Sequence, residues 1–267
     1  MIFANRELAQ RLERAEGFAC TQFAAARKKI FPGCDAAWMR CGGADVVFDG
    51  VDAPTTQTFG LGMFEEPTDA VFEEIESFFA ARGTATMHEV CPLAGVAMLD
   101  LLCARGYRPL EISNALYRTV EIPEIADRDR IRVRVIGSDE ASVWSGVSAR
   151  GWTYEHPELK EFVEQMGVLM VAREQSPCFL AELEGAPGAA GGLCLHQGVA
   201  LFAGAATVPE MRRRGLQAAL LEERMRYAHA HGCDLAMMVT EAGSESQRNA
   251  ERQGFRVAYT RVKWKKG

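Results

Sequence analysis

The chain has 267 residues, of which 48% are hydrophobic and 25% charged, and it carries a net charge of −6. This composition is typical of a globular protein, and the length suits two domains of about 130 residues each. The acidic balance argues against a nucleic-acid-binding protein and no apolar run is long enough to span a membrane, so neither partner is expected.

Cysteine usage and the start of the chain predict its surroundings. The eight cysteines form no CxxC pair and have no histidine at metal-ligand spacing. The first residues, Met1 to Glu7, become charged at once and lack the pattern of a signal peptide. These features predict a reduced, cytoplasmic protein without a bound metal.

The first half of the chain is predicted to contain a strand, a helix and a second strand in its later part. The first strand covers 84–90 and the helix covers 93–104. A Gly106-Tyr107 pair then leads into a strand that ends near Arg118. The polar, proline-containing stretch 121–130 is predicted to be a linker.

The second half alternates strands and helices in a clear order. Its patterns of hydrophobic residues have the periods of half-buried strands and of amphipathic helices. They predict strand 131–136, helices from 138 to about 151 and from 157 to about 173, strands 178–183, 189–196 and 199–208, helix 217–230, strand 235–240, helix 244–252 and strand 255–264.

Glycines at matching distances indicate that the two halves are copies of one unit. Gly83 and Gly106 are 23 positions apart, and Gly232 and Gly254 are 22 positions apart, with a predicted strand and helix between them in each case. Chance similarity is the alternative, because glycine after a helix is common. We favour duplication, with domains at 1–120 and 131–267 joined by the linker 121–130.

The most informative segment is the connection between a strand and a helix at 207–218. It contains three consecutive arginines, Arg212, Arg213 and Arg214, followed by Gly215. Backbone N–H groups at the start of a helix are unpaired and carry partial positive charge, and a glycine lets an anion approach them. The segment therefore predicts a phosphate-binding site, with a solvated basic turn as the alternative.

The matching place in the first half has the opposite charge. Residues 60–69 include the carboxylates Glu65, Glu66 and Asp69 and no arginine. Neighbouring carboxylates repel a pyrophosphate. We therefore expect an anion site in the second half alone.

These residues make the second half similar to the GNAT acyltransferase superfamily. The resemblance rests on Arg212-x-x-Gly215, on the small-residue strand before it and on the late segment 249–255. Gln217 stands where the family usually has glycine or alanine. The whole chain resembles tandem GNAT proteins with a degenerate first copy. The resemblance implies an α/β (α+β) fold of two GNAT-like domains, each a mixed, mostly antiparallel sheet flanked by helices.

The resemblance also implies acetyl-CoA as the acyl donor. Backbone N–H groups of the loop would hold its pyrophosphate, backbone groups near Thr207 and Val208 would pair with the pantetheine arm, and a late asparagine would reach the pantetheine or the adenine-side phosphates. An ordinary surface or capping role is the alternative for that asparagine. The expected cofactor-binding residues are Thr207, Val208, Arg212, Arg213, Arg214, Gly215, Leu216, Gln217, Ala218 and Asn249.

Acyl transfer to an amine needs a base, and an acid can help the thiolate to leave. The usual acid of the family is a tyrosine, and Ala250 stands at that position here. Tyr259 is the candidate substitute, with packing in a strand as its alternative role. Glu241, at the end of a strand, and Glu155, between two helices, are the candidate bases.

The sequence thus predicts an N-acyltransferase that moves acetyl from acetyl-CoA to a primary amine of a small molecule or peptide. Trp152 and Tyr154 are the expected walls of the acceptor site, although an ordinary surface loop has the same composition. A CoA-binding protein without turnover is the alternative function. The absence of GxxxxGK[ST] and GxGxxG argues against other nucleotide-binding modules. A monomer or a homodimer is expected.

Overall fold

A computed structural model describes residues 2–122, 128–154 and 156–266. The chain forms two compact units, the first from Met1–Arg118 with Met237–Gly267 and the second from Thr119–Ala236. The helices are α1 (Arg6–Ile30), α2 (Asp69–Ala80), α3 (Val96–Ala104), α4 (Ala141–Trp152), α5 (Lys160–Ala172), α6 (Leu216–Ala230) and α7 (Glu245–Arg252). The strands are β1 (Ala37–Cys41), β2 (Ala44–Phe48), β3 (Gln57–Phe59), β4 (Met87–Val90), β5 (Tyr107–Thr119), β6 (Ile131–Val135), β7 (Cys178–Leu183), β8 (Ala186–His196), β9 (Val199–Thr207), β10 (Leu235–Glu241) and β11 (Arg256–Lys266).

The first unit is a mixed sheet covered by helices. Its strands run in the order β1-β2-β3-β4-β11-β5, and all neighbours are antiparallel except the parallel pair β3 and β4. On α2 the buried residues Phe72, Ile75 and Phe79 recur at helical spacing and pack into the core with Leu61 and Met98. Apolar burial of this kind supplies most of the stability of such a helix.

The last strand of the chain completes the first unit. In β11, Val262 pairs with Val90 of β4, and Arg261 pairs with Ser113 of β5. The division into units therefore differs from the sequence-based boundaries 1–120 and 131–267. It differs because the backbone hydrogen bonds of β11 are made to strands of the first half, a long-range pairing that local sequence patterns do not encode.

The second unit is an antiparallel sheet of β6, β7, β8 and β9 with helices on both faces. Successive residues of a strand point to opposite faces. In β8, Gly191 faces Leu220 of α6, whereas Gly192 faces Met170 of α5. Trp144 of α4 is 1% exposed and donates from Nε1 to the carbonyl oxygen of Phe179, at 2.9 Å.

The predicted fold class is confirmed, because both units combine helices with a mostly antiparallel sheet. The predicted helix 217–230 corresponds to α6, and the predicted strand 199–208 corresponds to β9. Half of the predicted linker 121–130, residues 123–127, lies outside the described residues. In the described part of the chain, no helix is both long and apolar enough to cross a membrane.

Candidate functional site

The connection between β9 and α6, residues 207–218, is here called the arginine loop. A 3₁₀ turn, Pro209–Met211, follows the strand, and Arg213 adopts a left-handed conformation with φ +61°. Gly215 is also left-handed, with φ +86°, and is the N-cap of α6. A glycine is favoured there because side chains strain this conformation. The local sequence therefore turns the chain sharply into the helix.

The N-terminus of α6 is open. Gly215 supplies no side chain to cap it, and its first turn contains no acidic residue. By contrast, Asn5, Thr68 and Ser244 cap α1, α2 and α7, each of which has an acidic residue in its first turn. The N–H groups that lack an intrahelical acceptor belong to Leu216, Gln217 and Ala218. Unpaired donors and the helix dipole together favour an anion at this position.

The three arginines have different environments. Arg212 donates from Nη2 to the carbonyl oxygen of Gly151, at 3.1 Å, and from Nε to that of Thr207, at 3.3 Å. It therefore ties the end of α4 to the arginine loop. Arg213 and Arg214 are exposed, so their charges are available to a ligand in solution.

At the end of β9, one backbone N–H group pairs with β8 and the neighbouring one faces away from β8. The N–H of Val208 donates to the carbonyl oxygen of Gly188, at 2.9 Å, so Val208 is paired with β8. In an antiparallel ladder the neighbouring residue then points its backbone groups the other way. Thr207 therefore presents its N–H on the outer side. Its hydroxyl donates to Oε1 of Gln217, at 3.0 Å, which closes the loop.

A β-bulge interrupts β9 ahead of the loop. Ala206 pairs with Ala190, but the next pair joins Ala203 to Gly192, so the strand has one extra residue. Gly204 lies in it with φ +62°, and a Cβ there would come within 2.7 Å of Cε of Met170. A bulge frees backbone groups from the ladder and changes their direction. This bulge was not predicted from the sequence, although a lone glycine within a strand is a known signal of a bulge.

A shallow, open surface pocket of about 270 Å³ lies between the end of α4 and the start of the arginine loop. Its lining residues are Arg150, Thr153, Tyr154, Lys160, Pro209 and Glu210. Tyr154 lines the pocket and its ring centroid lies 5.6 Å from the guanidinium carbon of Arg212. Trp152 is 56% exposed and does not line it. The candidate base Glu155 lies outside the described residues.

Three other predicted site residues belong to the first compact unit. Glu241 ends β10 with an exposed side chain, and its carbonyl oxygen accepts a hydrogen bond from the hydroxyl of Ser244. Asn249 is exposed on α7. Ala250, at the position of the usual acid, is 4% exposed and brings no polar group. Among the described residues, no hydrogen bond or ion pair joins any two of Glu241, Asn249 and Tyr259.

Tyr259 lies in a buried polar cluster of the first unit. Its hydroxyl donates to Oε1 of Glu13, at 2.7 Å, and Nη1 of Arg261 lies 3.4 Å from the same oxygen. Oε2 of Glu13 accepts the backbone N–H of Gly60, at 3.1 Å. Burial raises the pKa of Glu13 and, with the nearby Glu13 carboxyl, the pKa of Tyr259. Glu13 was not predicted from the sequence, where its only signal is a charged residue on the apolar face of α1.

Comparison with known proteins agrees with this architecture. The family model described as the acetyltransferase (GNAT) family matches residues 143–255. This match lies in the second half of the chain and agrees with the resemblance to the GNAT superfamily recognised there. No curated protein matches the chain.

Solved structures extend the likeness to the whole chain. A GCN5-related N-acetyltransferase from Kribbella flavida has a TM-score of 0.60 and 16% identity, over 92% of this chain and 95% of that one. A tandem GNAT protein from the clavulanic acid biosynthesis pathway has a TM-score of 0.59 and 13% identity, over 100% and 97%. A conserved protein of unknown function from Staphylococcus epidermidis has a TM-score of 0.59 and 9% identity, over 90% and 96%. The chain therefore has the tandem GNAT fold.

Proposed function

We propose that this protein is an acyl-CoA-dependent N-acyltransferase that transfers acetyl from acetyl-CoA to a primary amine of a small molecule or peptide. The observation that carries the proposal is the open N-terminus of α6, entered through the left-handed Gly215 and flanked by arginines. This feature lies within the residues matched by the GNAT family model. A catalytic role for a metal is not part of the proposal, and the described residues contain no cluster of three metal-binding side chains.

The cofactor is proposed to follow the arginine loop. The N–H groups from Arg213 to Ala218 bind the pyrophosphate, and the exposed guanidiniums of Arg213 and Arg214 neutralise its charge. Thr207 offers its outward N–H to the pantetheine arm, whereas the N–H of Val208 already pairs with Gly188. Asn249 is retained as a proposed contact from α7.

The chemistry proceeds by attack of the neutral amine on the thioester carbonyl. A carbon–nitrogen bond forms, the carbon–sulfur bond breaks, and CoA leaves as a thiolate that takes up a proton. Ala250 cannot supply that proton, and the hydroxyl of Tyr259 already donates to Glu13. Glu241 and Glu155 remain the proposed bases. Positioning of the two reactants supplies much of the acceleration in this scheme.

The acceptor is proposed to approach from the end of α4, where Tyr154 lines the pocket and Trp152 is exposed nearby. No disulfide joins the cysteines of the described residues, which supports the proposed reducing, cytoplasmic setting. A monomer or a homodimer is proposed. Nucleic acid and membrane are not proposed as partners.

A second candidate function is CoA binding without turnover. Two observations favour it: Ala250 replaces the usual acid, and Tyr259 is engaged with Glu13. A thiolate is nevertheless a good leaving group without an acid, so we rank the enzyme first.

Release of free thiol from acetyl-CoA, measured against a panel of amines, separates these functions. The panel includes polyamines, aminoglycosides, amino acids and peptides with free N-termini. Amine-dependent thiol release, reduced in Gly215→Asp, supports the transferase. Tight acetyl-CoA binding without thiol release from any amine favours the binding protein.

A further inference from the structure

Arg224 is a buried arginine beneath the bulged part of the second unit. It lies on α6, two helical turns beyond Leu216, and is 2% exposed. Its Nη1 donates to the carbonyl oxygen of Gly192, at 3.2 Å, and its Nε donates to that of Leu220, at 3.3 Å. Its guanidinium carbon lies 5.0 Å from the ring centroid of Phe202. No carboxylate contacts it within the part of the chain that the structure describes.

Burying the guanidinium of Arg224 in this way costs free energy of folding. A buried charge without an ionic partner loses its hydration, and burial lowers the pKa of Arg224 to about 10. The guanidinium is thus still charged at neutral pH. The guanidinium also requires a residue without a side chain at position 191, because a Cβ on Gly191 would lie 3.1 Å from the guanidinium carbon of Arg224. Glycine within a strand weakens the strand. A methionine at 224 would fill much of the same volume without the buried charge.

The location of Arg224 suggests what offsets this cost. Gly192 forms with Ala203 the pair that flanks the β-bulge at Gly204. Arg224 thus connects the helix that begins at the arginine loop with the strand opposite the bulge. Phe202, which lies near the guanidinium, is next to Ala203 on the bulged strand.

We propose that Arg224 is a positioning residue for the acyl-transfer site. Its guanidinium fixes the backbone beside the bulge and places a positive charge under the strand along which acyl-CoA lies. This inference rests on the proposed function. As the amine attacks, negative charge develops on the thioester oxygen, and a fixed positive charge in a poorly solvated interior favours that state over the ground state. The substrate itself carries no charge at this oxygen, so binding of acetyl-CoA depends little on Arg224.

The test compares Arg224→Met, which removes the charge and the donors, Arg224→Gln, which keeps a neutral donor, and Arg224→Lys, which keeps the charge. The matched control is Arg226→Met, which removes a half-exposed arginine of the same helix that pairs with Glu223, at 2.9 Å. Three quantities are measured for each: the urea midpoint of unfolding, the acetyl-CoA Kd by calorimetry, and kcat for thiol release.

We expect Arg224→Met to resist urea as well as the wild type or better, because a buried charge has been replaced by an apolar group. Its Kd should stay within about twofold, while kcat should fall by about tenfold or more, the scale of losing one electrostatic contribution to the transition state. Arg224→Lys should recover part of the loss and Arg224→Gln less. Arg226→Met should leave kcat unchanged.

Two results would overturn the proposal: an undiminished kcat in Arg224→Met, or equal losses in Arg224→Met and Arg226→Met. If Arg224→Met does not fold, Arg224→Gln and Arg224→Lys give the same comparison. If the wild type binds acetyl-CoA without turnover, the ¹³C shift of the bound [1-¹³C]acetyl carbonyl replaces kcat as the measure of polarisation. A shift unchanged by loss of the charge then overturns the inference. Failure of the wild type to bind acetyl-CoA contradicts the proposed function itself.

Discussion

The carboxylate of Glu13 accepts the backbone N–H of Gly60, at 3.1 Å, where the chain leaves β3 in the first unit. This is the stretch, 60–69, that the proposed duplication aligns with the arginine loop of the second unit. The side chain of Glu13 thus already accepts a backbone N–H in residues 60–69. The second unit instead presents unpaired donors at the start of α6. The comparison supports one proposed cofactor site per chain.

Removing Glu13 is expected to destabilise the first unit severely. Glu13→Ala leaves the buried donors of Gly60, Tyr259 and Arg261 without this acceptor, and breaking one side of a buried ionic network costs about 3–5 kcal/mol. Urea unfolding measures the loss. The exposed Glu7 on the same helix is the control, and Glu7→Ala should cost well below half as much. A loss under about 1 kcal/mol in Glu13→Ala would show that the cluster contributes little.

Acid should weaken the first unit through His88. Burial lowers the pKa of His88 to about 3, from 6.5, although the nearby Glu76 acts in the opposite direction. Below pH 6.5 the imidazole of His88 is protonated in the unfolded chain but stays neutral in the folded chain. The contribution of neutral His88 to the free energy of unfolding is therefore fully present above pH 6.5 and is lost as the pH falls towards 3. Relative to neutral pH, the loss at pH 5 is about 2 kcal/mol.

Replacement of the histidine tests this origin. The stability difference between pH 7 and pH 5, from urea unfolding, should shrink in His88→Gln. The exposed His229 on α6 is the control, and His229→Gln should keep the full difference. An equal pH dependence in His88→Gln and the wild type would assign the acid sensitivity to other groups.

The pH profile of turnover tests the base. We expect kcat/KM to rise with pH through the pKa of the acceptor amine, because only the neutral amine attacks. Glu241 is exposed at the end of β10, so an amine there exchanges its proton with water. The profiles of Glu241→Gln and Glu155→Gln should therefore keep the wild-type shape. A flattened rise in either variant would identify that carboxylate as the base.

The parts of the site that depend on neighbours in sequence were predictable. The arginine loop was recognised because Gly215, the arginines and the start of α6 are adjacent in the chain. The partner of Tyr259 could not be foreseen, because Glu13 is 246 positions away and the two meet only through the pairing of β11 in the first unit. Gly204 shows the intermediate case, in which the residue is visible in sequence but the register that makes it a bulge is not.

Calorimetry of acetyl-CoA binding to the full chain tests the proposed contact between the arginine loop and the phosphates most directly. The wild type should bind one acetyl-CoA per chain. Gly215→Asp adds a carboxylate where the backbone meets the pyrophosphate, whereas Gly215→Asn adds a neutral group of the same shape and strain. Arg214→Ala removes one exposed charge that Arg213 partly replaces.

Affinity should fall most in Gly215→Asp, at least about tenfold below Gly215→Asn, as expected for a charge placed against a phosphate. Arg214→Ala should lose less than Gly215→Asp. Wild-type affinity in Gly215→Asp, or two equivalent sites per chain in the wild type, would contradict the account.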